Sequence, residues 1–82
     1  MNSKLSDWVN DYSDDLFRWA FSKTNNREIS QDLVQETFFS AVKGFDNFKQ
    51  NASPKSWLIS ILKNKISDHY RKAYREASQN DH

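Results

Sequence analysis

Gln31–Phe48 reads QDLVQETFFSAVKGFDNF, and its period decides the fold. At about 100° per residue, Leu33, Val34, Thr37, Phe38, Ala41, Val42 and Phe45 gather on one broad side. Asp32, Gln35, Glu36, Phe39 and Lys43 line the other. This is an amphipathic helix with one exception, because Phe39 stands in the polar stripe. Two explanations are open at this level. Phe39 is the apolar centre of a binding hot spot rimmed by Asp32, Gln35, Glu36 and Lys43, or another part of the same domain covers it.

The segments on either side repeat the helical period. Leu5, Trp8, Val9, Tyr12, Leu16, Trp19 and Ala20 predict a first helix over about Leu5 to Lys23. Phe17 and Phe21 add a second ridge, which predicts packing against two neighbours. Thr24-Asn25-Asn26 breaks the pattern, and Ser30 is read as the N-cap of the second helix, with Asp32 in its first turn. Gly44 either ends that helix or is carried through it. Phe45 to Ser53, FDNFKQNAS, is a polar loop, and Ser53-Pro54 supplies an N-cap followed by proline at the first helical position. A third helix then runs from Pro54 to roughly Tyr74. Trp57, Leu58, Ile61, Leu62, Ile66 and Ala73 face inward, with Ile59, His69 and Tyr70 on the flanks. Ser56, Ser60, Lys63, Asn64, Ser67 and Arg71 face outward.

With 82 residues, the chain makes one small domain. A domain of this size buries only about 60–65% of the surface its unfolded chain exposes. Three Trp and nine Phe and Tyr residues supply the apolar mass, while one Gly and one Pro leave little turn chemistry. Strand-like alternation is missing. The expected fold is all-α, a compact bundle of three main helices with a polar loop before the last.

Composition excludes several functions. The absence of cysteine removes disulfide scaffolds, thiolate metal sites and a Cys nucleophile. His69 and His82 have no second ligand at metal spacing, and no glycine-rich phosphate cradle exists. Asp14-Asp15 and Asp32/Glu36 read as solvated surface carboxylates rather than an acid/base pair. The expectation is a protein that is not an enzyme and uses no cofactor, metal or small-molecule ligand. No segment has the length and apolarity of a membrane span or the form of a signal peptide, so membrane insertion is not expected and the cytoplasm is the default location.

Net charge is +1, but it is unevenly placed. Through Val42, four basic side chains face seven acidic ones. From Lys43 to Arg75, eight basic side chains face only Asp46 and Asp68. An acidic half followed by a basic half points to two partners of different character. Lys49, Lys55, Lys63, Arg71 and Lys72, interleaved with Ser, Asn and Tyr, suit phosphate and base-edge contacts. Phe48, Asn47 and Asn51 suit an unstacked base. A solvated basic face with Phe48 in the core is the alternative.

Two blocks carry a resemblance. DLVQETF (Asp32 to Phe38), followed by AVKGFDNF, resembles region 2.2 and the start of region 2.3 of sigma-70 family RNA polymerase sigma factors. WLISILKNKISDHYRK (Trp57 to Lys72) is similar to their region 2.4, in the pattern W-L-x-x-I-x-x-N-x-x-x-D-x-x-R of the extracytoplasmic-function subgroup. Trp57, Leu58, Ile61, Asn64, Asp68 and Arg71 occupy its positions. The resemblance covers roughly Leu5 to Lys72 and divides a domain over residues 1–75 into region 2.1 (about 5–23), region 2.2 (30–44), region 2.3 with the loop (45–56) and region 2.4 (57–72). Residues 76–82 are left as tail or linker. Nothing after Lys72 resembles the family's second helix-turn-helix domain, region 4, so a fragment of a longer factor is expected.

The resemblance implies a role in bacterial transcription initiation. The DLVQE segment of such factors docks on the coiled coil of the polymerase β′ clamp, which implies core-polymerase contacts for Asp32, Gln35, Glu36, Phe39 and Lys43. The loop and last helix open the promoter minus-ten element and hold its non-template strand. That implies DNA contacts for Asn47, Phe48, Lys49, Asn51, Lys55, Ser56, Ser60, Lys63, Asn64, Ser67, Arg71 and Lys72. Asn64, Asp68 and Arg71 recur at turn spacing, so they either read bases or form a structural network. Family members are commonly held inactive by an anti-sigma factor, so a purely protein-binding helical domain is the alternative function. A double-stranded DNA-binding helix-turn-helix is disfavoured by the long FDNFKQNAS loop.

Overall fold

A computed structural model describes residues 3–48 and 53–80. The described residues form three helices, α1 (Ser3–Thr24), α2 (Arg27–Gly44) and α3 (Pro54–Asn80), with one 3₁₀ turn at Phe45–Asn47 after α2. Each long helix packs against the other two. The all-α bundle is as the pattern predicts.

The core forms where the three apolar stripes meet. Leu16 of α1 and Leu58 and Leu62 of α3 are completely buried, and Leu5, Trp8, Leu33, Val34 and Ile66 nearly so. Burying one such leucine contributes about 1.5–3 kcal/mol. Ala20 and Ala41 are also fully buried; a methyl side chain at a helix crossing lets two backbones approach closely.

The turn between α1 and α2 differs from the sequence reading. The N-cap is Asn26, not Ser30, so α2 begins at Arg27. Asn25 takes the left-handed conformation, with φ 52°, which Asn tolerates better than most residues. Its N–H donates to the Phe21 carbonyl at 2.8 Å and ends α1. Asn26 Oδ1 accepts the Ile29 N–H at 2.9 Å. Ser30 is fully buried one turn later. Its hydroxyl donates to the Asn26 carbonyl at 2.7 Å and shares a hydrogen bond with the Thr24 hydroxyl, also at 2.7 Å.

At the other end of the bundle, four aromatic rings bracket the start of the loop. Trp8 meets Phe48 edge-on at 5.2 Å and Phe45 at 5.5 Å. Trp57 closes the group at 5.0 Å from Phe48 and 6.1 Å from Trp8. Gly44 ends α2 and abuts the Trp57 ring. Ser53 caps α3 as expected: its carbonyl accepts from Trp57 N–H at 3.0 Å, and its hydroxyl faces the Ser56 N–H at 3.5 Å.

Helix α3 is longer than expected, running through Asn80 rather than stopping near Tyr74. Its 27 residues span about 40 Å at 1.5 Å per residue, against bundle widths of 23 and 22 Å. Residues 71–76 are all exposed, Ala73 included, although the pattern placed Ala73 inward. Where the last contact layer is left behind, Tyr70 donates its hydroxyl to the Lys23 carbonyl at the end of α1. Among the described residues, no helix is long and apolar enough to cross a membrane.

Candidate protein and nucleic-acid interfaces

Helix α2 turns Asp32, Gln35, Glu36, Phe39 and Lys43 outward together, and all five are exposed. Phe39 is 63% exposed, which rules out a cover from elsewhere in the described bundle. The Lys43 ammonium lies 4.5 Å from the Phe39 ring centroid, a cation–π contact worth about 0.5–1 kcal/mol at an exposed site. Val42, which the period put on the buried side, is 52% exposed. It sits at the rim of an almost wholly apolar groove that Leu5 and Val9 of α1 form with Phe38 and Phe39. Phe39 is therefore not isolated; it borders an apolar strip crossing from α2 to α1.

On its other flank, the same face meets α3. Lys65 shares a surface with Glu36, Phe39 and Lys43. A cleft between α2 and α3 brings Asp32 and Glu36 together with Lys65, Asp68, His69 and Lys72.

The residues assigned to nucleic acid separate into three sets. Ser56, Ser60, Asn64, Ser67 and Arg71 share the outward side of α3 and are exposed. Arg71 lies 3.7 Å from Asp68, with both side chains 67% exposed; such a pair is worth at most about 1 kcal/mol. The Asn64–Asp68–Arg71 edge thus contains one weak ion pair, and Ser60 bonds to the Trp57 carbonyl at 2.6 Å.

The cations beside that side are mostly engaged. Lys55 reaches Asp15 of α1 at 3.1 Å. Lys72 lines the α2–α3 cleft, away from the outward side. Lys63 turns toward α1, its ammonium 5.6 Å from the Trp19 ring centroid.

Phe48, expected to offer its ring to a base, is half-buried among Trp8, Phe45 and Trp57. The alternative reading, Phe48 in the core, fits this packing. Its neighbour Asn47 lies in the 3₁₀ turn, while Lys49 and Asn51 lie outside the described residues.

Sequence reasoning missed Val42 as a surface group, the groove that Val9 lines beside it, and Lys65 as a neighbour of the α2 face. A helical wheel gives each helix's inner side but not where a neighbouring helix ends. Only the packing of the α1 start beside α2 leaves Leu5 and Val9 at a groove.

Residues 8–76 match the family model for sigma-70 region 2. The chain belongs to the sigma-70 region 2 family. It is 42% identical over 60 residues to a probable RNA polymerase sigma factor of Haemophilus influenzae, covering 73% of this chain and 31% of the relative. It is 36% identical over 66 residues to the ECF RNA polymerase sigma factor EcfG of Rhodopseudomonas palustris, covering 80% and 36%. With the ECF RNA polymerase sigma factor SigM of Bacillus subtilis it shares 30% identity over 70 residues, covering 85% and 42%. These matches support the extracytoplasmic-function resemblance, and in each the chain spans less than half of the relative's length. No solved structure matches significantly.

Proposed function

We propose that this domain serves a sigma factor in bacterial transcription initiation, docking on the β′ clamp coiled coil of core RNA polymerase through α2 and engaging the promoter minus-ten element through α3 and the loop before it. The observation that carries the reading is the exposed Phe39 inside a rim of Asp32, Gln35, Glu36 and Lys43. An exposed aromatic of this size inside a polar rim is the anatomy of an interface anchor. The outward side of α3, rich in Ser and Asn with Arg71 at one edge, suits contacts to base edges and phosphates of the non-template strand. Asn47, Lys49 and Asn51 extend the DNA assignment into the loop. Phe48 acts in this reading as the floor that holds the loop, and Lys72 belongs with the α2 face. Such a factor works where the polymerase and chromosome are, in the cytoplasm, without catalysing a reaction. An anti-sigma factor would compete for these same two faces.

The deciding experiment is binding of the domain to a β′ clamp coiled-coil fragment, with Phe39→Ala beside it. The expected result is saturable binding, weakened about 10- to 100-fold in a variant with unchanged helicity, the loss typical of a hot-spot aromatic. Equal affinity in the two proteins removes Phe39 from the interface, and no binding by either removes the docking assignment.

A further inference from the structure

We propose that α1 also contributes to the nucleic-acid surface, through a phosphate-binding locus built by Lys23 of α1 and Lys63 of α3 over the Trp19 ring. The inference rests on the DNA reading of α3 and extends it to a helix assigned no contact with DNA.

Three observations carry it. First, two ammonium groups from different helices converge on one ring: Lys23 Nζ lies 5.1 Å and Lys63 Nζ 5.6 Å from the Trp19 centroid. A cation–π contact at an exposed site is worth only about 0.5–1 kcal/mol and leaves each ammonium its full charge. Second, neither ammonium makes an ion pair among the described residues, whereas Lys55 is paired with Asp15 and Arg71 with Asp68. Lys72 and Lys65 likewise share their cleft with Asp32, Glu36 and Asp68. Beside the outward side of α3, Lys23 and Lys63 are therefore positive charges without an ion pair among the described residues, as is Arg75 further along the helix. Third, the platform is fixed. Trp19 is half-buried, and the end of α1 is tied to α3 by the Tyr70 hydroxyl on the Lys23 carbonyl.

The α1 C-terminus opposes an anion with a partial charge of about −0.5. Two ammonium groups exceed that, so the locus stays positive. The ligand this charge selects is a nucleic-acid backbone phosphate. Lysine supplies point charges without the planar fork that reads base edges, so the contact fixes the strand's position without reading its sequence.

The test is binding of a single-stranded minus-ten non-template oligonucleotide across a salt series, using the 82-residue chain and its Lys23→Gln, Lys63→Gln and double variants. Arg27→Gln is the charge control. It removes one cation next to Phe17 and Phe21, on the side of α1 about 200° from Trp19. Each lysine variant should bind about 3- to 10-fold more weakly at low salt and lower the logarithmic salt slope by about 0.7, the value for one phosphate on a single strand. The double variant should lose less than the product of the two, because both lysines hold the same stretch of backbone. Arg27→Gln should stay within about twofold of the parent. If the parent binds but Lys23→Gln binds as well as it does, the locus is wrong and the DNA reading of α3 stands. Losses that multiply, or an equal loss in Arg27→Gln, also overturn it. If the parent binds no DNA, the DNA reading itself fails.

Discussion

Asn26 and Ser30 lie four residues apart and compete for one role, and the structure shows how the competition is resolved. Both are good N-cap residues, and either is followed by helix-compatible sequence. Asn26 wins because Asn25 before it accepts the left-handed turn that ends α1. Ser30 then becomes useful as a buried residue, because its hydroxyl bonds back to the Asn26 carbonyl within its own helix. Period alone did not reveal this, since a serine on the inner side of a helix looks the same in sequence whether it caps or is buried. The assignment predicts opposite outcomes for the two sites. Asn26→Ala removes the acceptor for Ile29 N–H and should cost about 1 kcal/mol, read as a lower urea midpoint with unchanged slope. Ser30→Ala keeps the cap and should cost less, because the methyl fits the buried site and the Thr24 hydroxyl is half-exposed and can turn to water. A larger loss for Ser30→Ala would return the cap to Ser30.

At the scale of elements, the inner faces of all three helices were legible because their buried residues, among them Leu5, Trp8 and Leu16 in α1, Leu33, Val34 and Ala41 in α2, and Leu58, Leu62 and Ile66 in α3, recur at helical spacing. The ends were less legible. The apolar stripe of α3 stops at Ile66, yet the helix continues because RKAYREAS holds no Gly or Pro and favours helix by propensity. Ala73 follows the period but has no partner, since the other helices have ended. Phe48 was ambiguous for the opposite reason: one aromatic beside a loop suits a base or a core equally, and only packing against Trp8, Phe45 and Trp57 separates them. This arrangement makes the loop's position depend on the cluster. Phe48→Ala should destabilise the domain by about 2–4 kcal/mol, in the lower range for an aromatic truncation because the ring is half-buried. In the material that remains folded it should also weaken minus-ten DNA binding. Phe48→Leu, which restores apolar volume without an aromatic face, should recover most of both. If Phe48→Leu regains stability but not DNA affinity, the ring itself stacks on a base.

For the whole molecule, one small core supports both the α2 face and the outward side of α3. Leu62 is completely buried on α3, opposite the outward side that carries Asn64 and next to the flank that carries Lys65. Domains of this size hold about 0.05–0.15 kcal/mol per residue, so a single core truncation removes a large share of the total. Leu62→Ala should cost about 2–5 kcal/mol. Because α1, α2 and α3 each pack on the other two, no pair of helices forms a core without the third, and the loss should be shared by all three. Unfolding followed by far-ultraviolet circular dichroism and by tryptophan fluorescence should then give one coincident transition, displaced to lower urea. Trp8 and Trp19 report from α1 and Trp57 from α3. Two separated transitions would mean that α3 detaches before α1 and α2, and that clamp docking could survive a change that abolishes DNA contact. A single transition means that the α2 face and the α3 side stand or fall together. Variants at either face must then be compared at equal fraction folded before a loss of binding is assigned to a lost contact.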